Sequence, residues 1–292
     1  MGLRAKFNLA VLGVFLLGFA GAWLFLEQRF LATARTEVLQ NARIMLSAAN
    51  AVRGFTARET GPLITAAATQ MGRFEPASVP SYAAQTNFHA VQAEFRDYTY
   101  KEAALNPTNP RDRATDWETD FIRSFRDRAE LTELIGERLT PTGPVLTLAR
   151  PLTVSSAQCL VCHSTPDRAP AAMVRSYGAT NGFGWQMNET VGAQLVSVPM
   201  ALAIRNAQTN LHATMAILFG IFVGIMLMLN CLLHLLVVRP VVRLSQIATA
   251  VSLGDTVAGD FEHGGRDEIA SLAAAFTRMR RSLDSAMKML SA

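Results

Sequence analysis

Residues 144–163 read PVLTLARPLTVSSAQCLVCH. The first ten are β-like, with Val145, Leu146, Leu148 and Leu152 as their apolar members. Directly after them comes Cys159-Leu160-Val161-Cys162-His163, the Cys-x-x-Cys-His pattern of c-type haem attachment. Each thiol can add to one vinyl group of the porphyrin, and the histidine that follows without a gap is held under the iron as an axial ligand. The pattern therefore predicts one covalently bound haem c (iron) per chain, with Cys159 and Cys162 as thioethers and His163 as proximal ligand. Two other chemistries use paired cysteines. A zinc site wants four ligands, and the chain has only three cysteines, the last being Cys231. A redox disulfide belongs in a thioredoxin-like βαβ pattern, which is not apparent around these residues.

The flanking sequence sets the compartment. Phe7 to Leu26 is an almost wholly apolar run, long enough to span a bilayer core of about 30 Å. Arg4 and Lys6 precede it, which keeps its start in the cytoplasm. Ala213 to Val238 is a second uncharged apolar run, followed by Arg239 and Arg243. The layout expected is a two-pass protein of the bacterial inner membrane with both termini cytoplasmic. Its parts are an N-terminal transmembrane helix (1–26), a periplasmic domain (27–212), a second transmembrane helix (213–238) and a cytoplasmic linker (239–292). The periplasm is where dithiols can be oxidised and c-type haem is attached. A cleaved signal peptide is the alternative for the first segment; Ala20 and Ala22 allow it, but Glu27-Gln28-Arg29-Phe30 is a poor cleavage region.

Composition fits this layout. Half of the 292 residues are hydrophobic and 17% are charged, too apolar for a disordered or nucleic-acid-binding chain. The net charge of +4 gathers partly at the membrane flanks, where basic residues attract anionic lipid. No nucleic-acid partner is expected. Cys231, alone in the second membrane segment, reads as a small apolar side chain.

After the first membrane segment a long helix is expected to run to about Thr56. Leu31, Ala34, Val38, Ala42, Met45, Ala49 and Val52 form one stripe along it. Gly61-Pro62 reads as a break, and the prolines of Asn106-Pro107-Thr108-Asn109-Pro110 forbid continuous helix. Trp117 to Leu134 resumes an amphipathic helical pattern. Ala179 to Trp185 is glycine-rich, and Val191 to Val198 reads as a strand. Helix first and strands later gives an α+β fold class rather than a helical cytochrome.

Four segments carry a family resemblance: Ala51-Val52-Arg53-Gly54, Tyr98 to Pro110, the Cys-x-x-Cys-His run, and Gly182-Phe183-Gly184-Trp185 leading to Val191-Gly192-Ala193-Gln194. Their order resembles periplasmic c-type haem domains of PAS-like fold, found in membrane chemoreceptors and sensor kinases, over about residues 35–200. The resemblance implies a five-stranded PAS-like sheet with one covalent haem on His163. In relatives the opposite axial position is filled by a methionine or cysteine from the helix after the first membrane segment, or by water. Met45 is the candidate sixth iron ligand here, and plain packing in the apolar stripe explains it equally well. Met71 and His89 are weaker alternatives. Arg111, Arg113, Arg150 and Arg175 are candidates for the haem propionates, with ordinary surface charge as the commoner role.

Beyond the second membrane segment, Val238-Arg239-Pro240 opens a short stripe of Leu244, Ala248 and Val251. A glycine-bearing connector (Gly254 to Gly265) leads to Asp267-Glu268 and a second stripe of Ile269, Leu272, Phe276, Met279, Leu283 and Leu290. This arrangement resembles a HAMP linker, which implies a homodimer. A lone juxtamembrane coiled coil is the simpler alternative. Asn230 and His234 share one face of the second membrane segment, and polar groups there seek a partner on another helix.

No phosphate loop, kinase signature or nucleophile–base pair is apparent, so an enzyme is not expected. The leading expectation is a haem sensor that relays redox state, or a small gas ligand, through the membrane to a cytoplasmic signalling output protein. A membrane-anchored monohaem electron carrier is the competing class, and a haem-independent small-molecule receptor a third. The HAMP-like tail favours the sensor, because an electron carrier needs no cytoplasmic relay.

Overall fold

The computed structural model describes residues 2–254 and 265–290, and the chain forms two compact units. One is Leu26–Leu211; the other joins Met1–Phe25 to His212–Ala292.

Helix α1 spans Leu3–Phe55. In the Leu26–Leu211 unit its buried side is Ala34, Val38, Ala42, Leu46 and Ala49. The expected stripe is present with its centre shifted: Leu46 is fully buried, Met45 and Val52 are half-buried, and Leu31 is exposed. A straight helix at 3.6 residues per turn drifts across a fixed three/four pattern, which moves the seam.

The break expected at Gly61-Pro62 is instead a widened turn. Thr56–Thr60 forms one π turn, closed by the Gly61 N–H donating to the Thr56 carbonyl, and α2 (Gly61–Gln70) continues. Pro62 has no N–H to give a normal helical turn. Gly61 is required by space, since a Cβ there would lie 2.6 Å from the Thr56 oxygen and 2.8 Å from that of Ser78. Helix α3 (Pro80–Glu94) then leads to β1 (Thr99–Ala104).

The proline-rich loop is non-helical as expected, apart from one short turn at Pro110–Asp112. The helix expected over Trp117–Leu134 is shorter: α4 spans Asp116–Asp127, started by a capping box of Thr115 and Glu118. The chain leaves the helix at Arg128 so that Leu131 and Leu134 can pack beside Trp117 and Phe121, and Leu134 opens β2 (Leu134–Thr140). A two-residue turn joins β2 to β3 (Gly143–Thr153). The crossover that follows carries α5 (Ala157–His163) and α6 (Ala171–Tyr177) before β4 (Thr190–Pro199).

The sheet is antiparallel throughout, in the order β1-β4-β3-β2. Among the described residues it has four strands, not the five implied by the resemblance, because the β3–β4 crossover is spent on α5, α6 and glycine turns. Strand alternation divides the core. Tyr100, Leu146, Leu148, Val196 and Val198 pack with α1 and with Phe88 of α3. Ala103, Ala149, Ala193 and Leu195 pack with Ile122 and Phe125 of α4.

Helix α7 (Ala201–Leu232), whose residues from His212 onward belong to the other unit, runs into a second π turn, Leu233–Val238, and then α8 (Arg239–Ser252). The Arg239 N–H donates to the His234 carbonyl just before Pro240, so both π turns precede an X-Pro step for the same reason. The first part of α1 and α7 are long and apolar enough to cross a membrane. Between them Phe15 stacks on Phe222, and Asn8 and Asn230 hydrogen-bond each other. Arg4 meets His234. The polar face of the second segment thus finds partners as expected.

Helix α9 (Glu268–Leu290) packs on α8 through Leu244 and Ala273, with Ile247, Val251, Ile269 and Phe276 around them. Asp267 accepts from the Ala270 N–H at 2.8 Å, capping the helix start. Leu272, Met279 and Leu283 of the second stripe stay exposed on this chain. Most of the expected connector, residues 255–264, lies outside the described residues.

Candidate cofactor-binding site

Helix α5 begins where Ser156 accepts from the Gln158 N–H at 3.2 Å. Its seven residues hold Cys159 and Cys162 three positions apart, on the same side of the helix, with His163 as the last residue. Both thiols are half-buried and unjoined. Burial, and then the neighbouring Cys159, pushes the Cys162 thiol up.

The His163 ring is held on three sides. Its Nδ1 donates to the Gly182 carbonyl at 2.7 Å, with Thr108 Oγ1 at 3.4 Å from the same nitrogen. Trp185 stacks on it at 3.8 Å between ring centres and 11° between planes. The Trp185 N–H also donates to the His163 carbonyl, and the Gly184 N–H to that of Ser164. A proton fixed on Nδ1 leaves the Nε2 lone pair free, the arrangement in which histidine binds a metal. Burial lowers the His163 pKa, only partly countered by the Gly182 hydrogen bond, and so favours the neutral ring.

Gly182 is irreplaceable on two counts. Its φ is +83°, and a Cβ there would fall 2.0 Å from Thr108 Oγ1. The neighbouring Ser164 hydroxyl is buried and has no hydrogen-bond partner among the described residues.

A second polar cluster lies between α1 and the sheet. Arg53 pairs with Glu102, whose side chain is 1% exposed. Tyr100 Oη donates to the other Glu102 oxygen at 2.6 Å. Gln194 Nε2 donates to Tyr100 Oη at 3.0 Å and to Asn50 Oδ1 at 2.9 Å. Burial, then the Glu102 charge, pushes the Tyr100 hydroxyl well up. All four segments singled out in the sequence are thereby wired together. Ala51–Gly54, Tyr98–Pro110 and the Val191–Gln194 run meet through Arg53, Glu102, Tyr100 and Gln194. The cysteine–histidine run meets Thr108, Gly182 and Trp185.

Residues 29–199, more than half of the chain, match the Tll0287-like family. The chain belongs to the Tll0287-like family. Residues 232–285 match the HAMP domain, beginning seven positions before Arg239. A Tll0287-like domain followed by a HAMP domain is the architecture of a membrane sensor transducer. Among solved structures the chain is similar to the cyanobacterial haem-protein Tll0287, at 16% identity and a TM-score of 0.43, covering 56% of this chain and 95% of that one. No curated protein matches.

Other expected site residues of the Tll0287-like domain have mixed placements. Met45 is half-buried against the core that includes Leu46, Phe88 and Tyr100. Met71, at the end of α2, and His89, on α3, are exposed. Arg150 is engaged with Glu133 at 3.0 Å, and Arg175 with the Gly72 carbonyl at 3.1 Å. Arg111 lies beside Asp112 and over the Tyr82 ring, and Arg113 is exposed. Sequence reading did not find roles for Thr108, Ser164, Asn50 or Glu102. The available signal was Glu102 itself, an acid within a stretch that becomes a buried strand.

Proposed function

We propose that this protein is a membrane-bound c-type haem sensor, with Cys159 and Cys162 as the thioether residues and His163 as the proximal iron ligand. One observation carries the reading: the Nδ1 proton of His163 is committed to the Gly182 carbonyl at 2.7 Å, so Nε2 is the ring's only free ligand atom. The residues fit the group. Two half-buried thiols share one side of α5, and the unpartnered Ser164 hydroxyl beside His163 marks a place built for something more than protein. When bound, haem supplies an iron that changes redox state and accepts small gas ligands. Gly182, Thr108 and Trp185 hold the His163 ring in one orientation, and burial keeps it neutral. The Tll0287 likeness, to a protein described as a haem-protein, agrees with this chemistry.

In the full proposal residues 27–212 form the periplasmic sensor domain between transmembrane helices at 1–26 and 213–238. Residues 239–292 form a cytoplasmic HAMP linker, and both termini are cytoplasmic in the bacterial inner membrane. The chain works as a homodimer through its HAMP and membrane helices, contacts anionic lipid through its basic flanks, and passes its state to a cytoplasmic output protein. Its role is binding and relay rather than catalysis. Met45 is the proposed sixth ligand; its soft thioether favours ferrous iron.

The test is a pyridine haemochrome spectrum with a haem stain of a denaturing gel, on protein made with c-type maturation machinery. The expected result is a c-type spectrum near one haem per chain, lost in Cys159→Ser/Cys162→Ser. Absence of covalent haem from the native chain in a maturation-competent host overturns the proposal.

A further inference from the structure

Helix α1 packs on the sheet-side core through Val38, Ala42, Leu46 and Ala49, with Leu39, Met45 and Val52 half-buried beside them. Apolar burial is non-directional, so it holds the helix on the sheet without selecting one set of hydrogen-bond partners. Directional polar contacts add that selection. Two of these, Arg35 with Glu137 and Arg43 with Glu133, use arginines that are 60% and 45% exposed. Ion pairs at the surface hold geometry poorly, because water and salt screen them. The third joins the exposed Asn50 and the half-buried Arg53 to buried partners on the sheet, one to two turns before the π turn at Thr56–Thr60.

That set is connected without a gap. Arg53 holds Glu102, Glu102 holds Tyr100, Tyr100 holds Gln194, and Gln194 returns to α1 at Asn50. It touches α1 at two points, β1 at two and β4 at one. A helix rises 1.5 Å per residue, so an axial slip of even one residue takes Asn50 and Arg53 out of reach of partners at hydrogen-bond distance. Losing Arg53 leaves the Glu102 carboxylate buried and uncompensated. Slippage therefore costs both ties to α1, Arg53–Glu102 and Gln194–Asn50, while the Tyr100 bonds to Glu102 and Gln194 stay within the sheet.

We infer that Arg53, Glu102, Tyr100, Gln194 and Asn50 form a positioning latch that sets the axial register of α1 on the sheet, closed in one position and open in any other. The latch rests on these side chains alone and holds with or without a cofactor. Its place suits a relay. Glu102 and Thr108, the latter beside His163, lie on one continuous segment running from β1 into the following loop. Helix α1 is the same element that contains the apolar Phe7–Leu26 run. Register on the sheet is thus the coordinate through which this domain can displace a membrane helix.

The test is a spin–spin distance measurement on the full chain in lipid nanodiscs. Nitroxides are attached through p-acetylphenylalanine at Ala48 of α1 and Leu139 of β2, both exposed, and labelled chains are diluted with unlabelled ones. The native chain and an Arg43→Gln control should give one narrow distance. Glu102→Gln and Arg53→Gln should each give a displaced or clearly broadened distribution with the fold intact by circular dichroism. A native distribution in both overturns the latch. Should loss of the buried pair prevent folding, Asn50→Ala decides, because it leaves the ion pair in place: broadening supports the latch, and an unchanged distance overturns it.

Discussion

Asn8 and Asn230, 222 positions apart, exchange side-chain hydrogen bonds in both directions, each 3.0 Å long. Each amide donates to the other's oxygen, and Asn230 also donates to the Met226 carbonyl. The pair lies within apolar helix surface, where an unmatched amide has no water to turn to. It fixes which residue of the first apolar helix faces which residue of the second.

Asn230→Ala should therefore weaken the helix pair by about 1 kcal/mol, the usual scale for a hydrogen bond between membrane helices. The measurement is thermal unfolding in nanodiscs. The double variant Asn8→Leu/Asn230→Leu should recover part of the loss, because neither amide is then stranded. Additive losses in the double variant would count against the reciprocal pair.

Gly182→Ala should damage the site more than any other single methyl addition near it. Its positive φ costs an L-residue about 1–2 kcal/mol, and the added carbon also collides with Thr108. The expected outcome is a sharp fall in haem per chain by haemochrome assay, with a lowered melting temperature. Thr108→Ala should rescue part of it by removing the hydroxyl nearest the new methyl.

Acid should loosen the α1–β3 contact at Glu133. Burial alone would raise that carboxyl, but hydrogen bonds and charge from Arg43 and Arg150 outweigh it and hold it below the usual carboxylate range. A depressed folded-state pKa gives stability that is present above the unfolded value and lost as pH falls through the folded one. Melting temperature measured from about pH 6 down to about pH 3 should fall less steeply in Glu133→Gln than in the native chain. Identical slopes would remove Glu133 from the acid response.

Met45→Ala should change both the ferrous and ferric absorption spectra if its sulfur ligates iron. Its half-buried position against the core predicts, independently, a loss in unfolding free energy smaller than the roughly 2–5 kcal/mol of a fully buried site. Lost stability with unchanged spectra makes Met45 a packing residue only.

The features legible in the sequence were those whose physics is local. Apolar runs of membrane-spanning length, the three/four spacing of α1, the β-like Pro144–Thr153 stretch and the Cys-x-x-Cys-His run each declare themselves within a few dozen residues. They determined the α+β class, the two apolar helices and the candidate ligand histidine. The tertiary structure decided what depends on partners far along the chain. Strand β1 escaped notice because Lys101 and Glu102 look like surface; Lys101 is half-buried beside Glu118, and the burial of Glu102 is tolerable only because Arg53 neutralises it. The proline at position 62 looked like a stop, yet a π turn closed on Gly61 carries the helix past it. The free nitrogen of His163 follows from a carbonyl nineteen residues away. Periodicity and covalent motifs are written residue by residue, whereas a hydrogen bond between distant segments exists only once the strands have chosen their register.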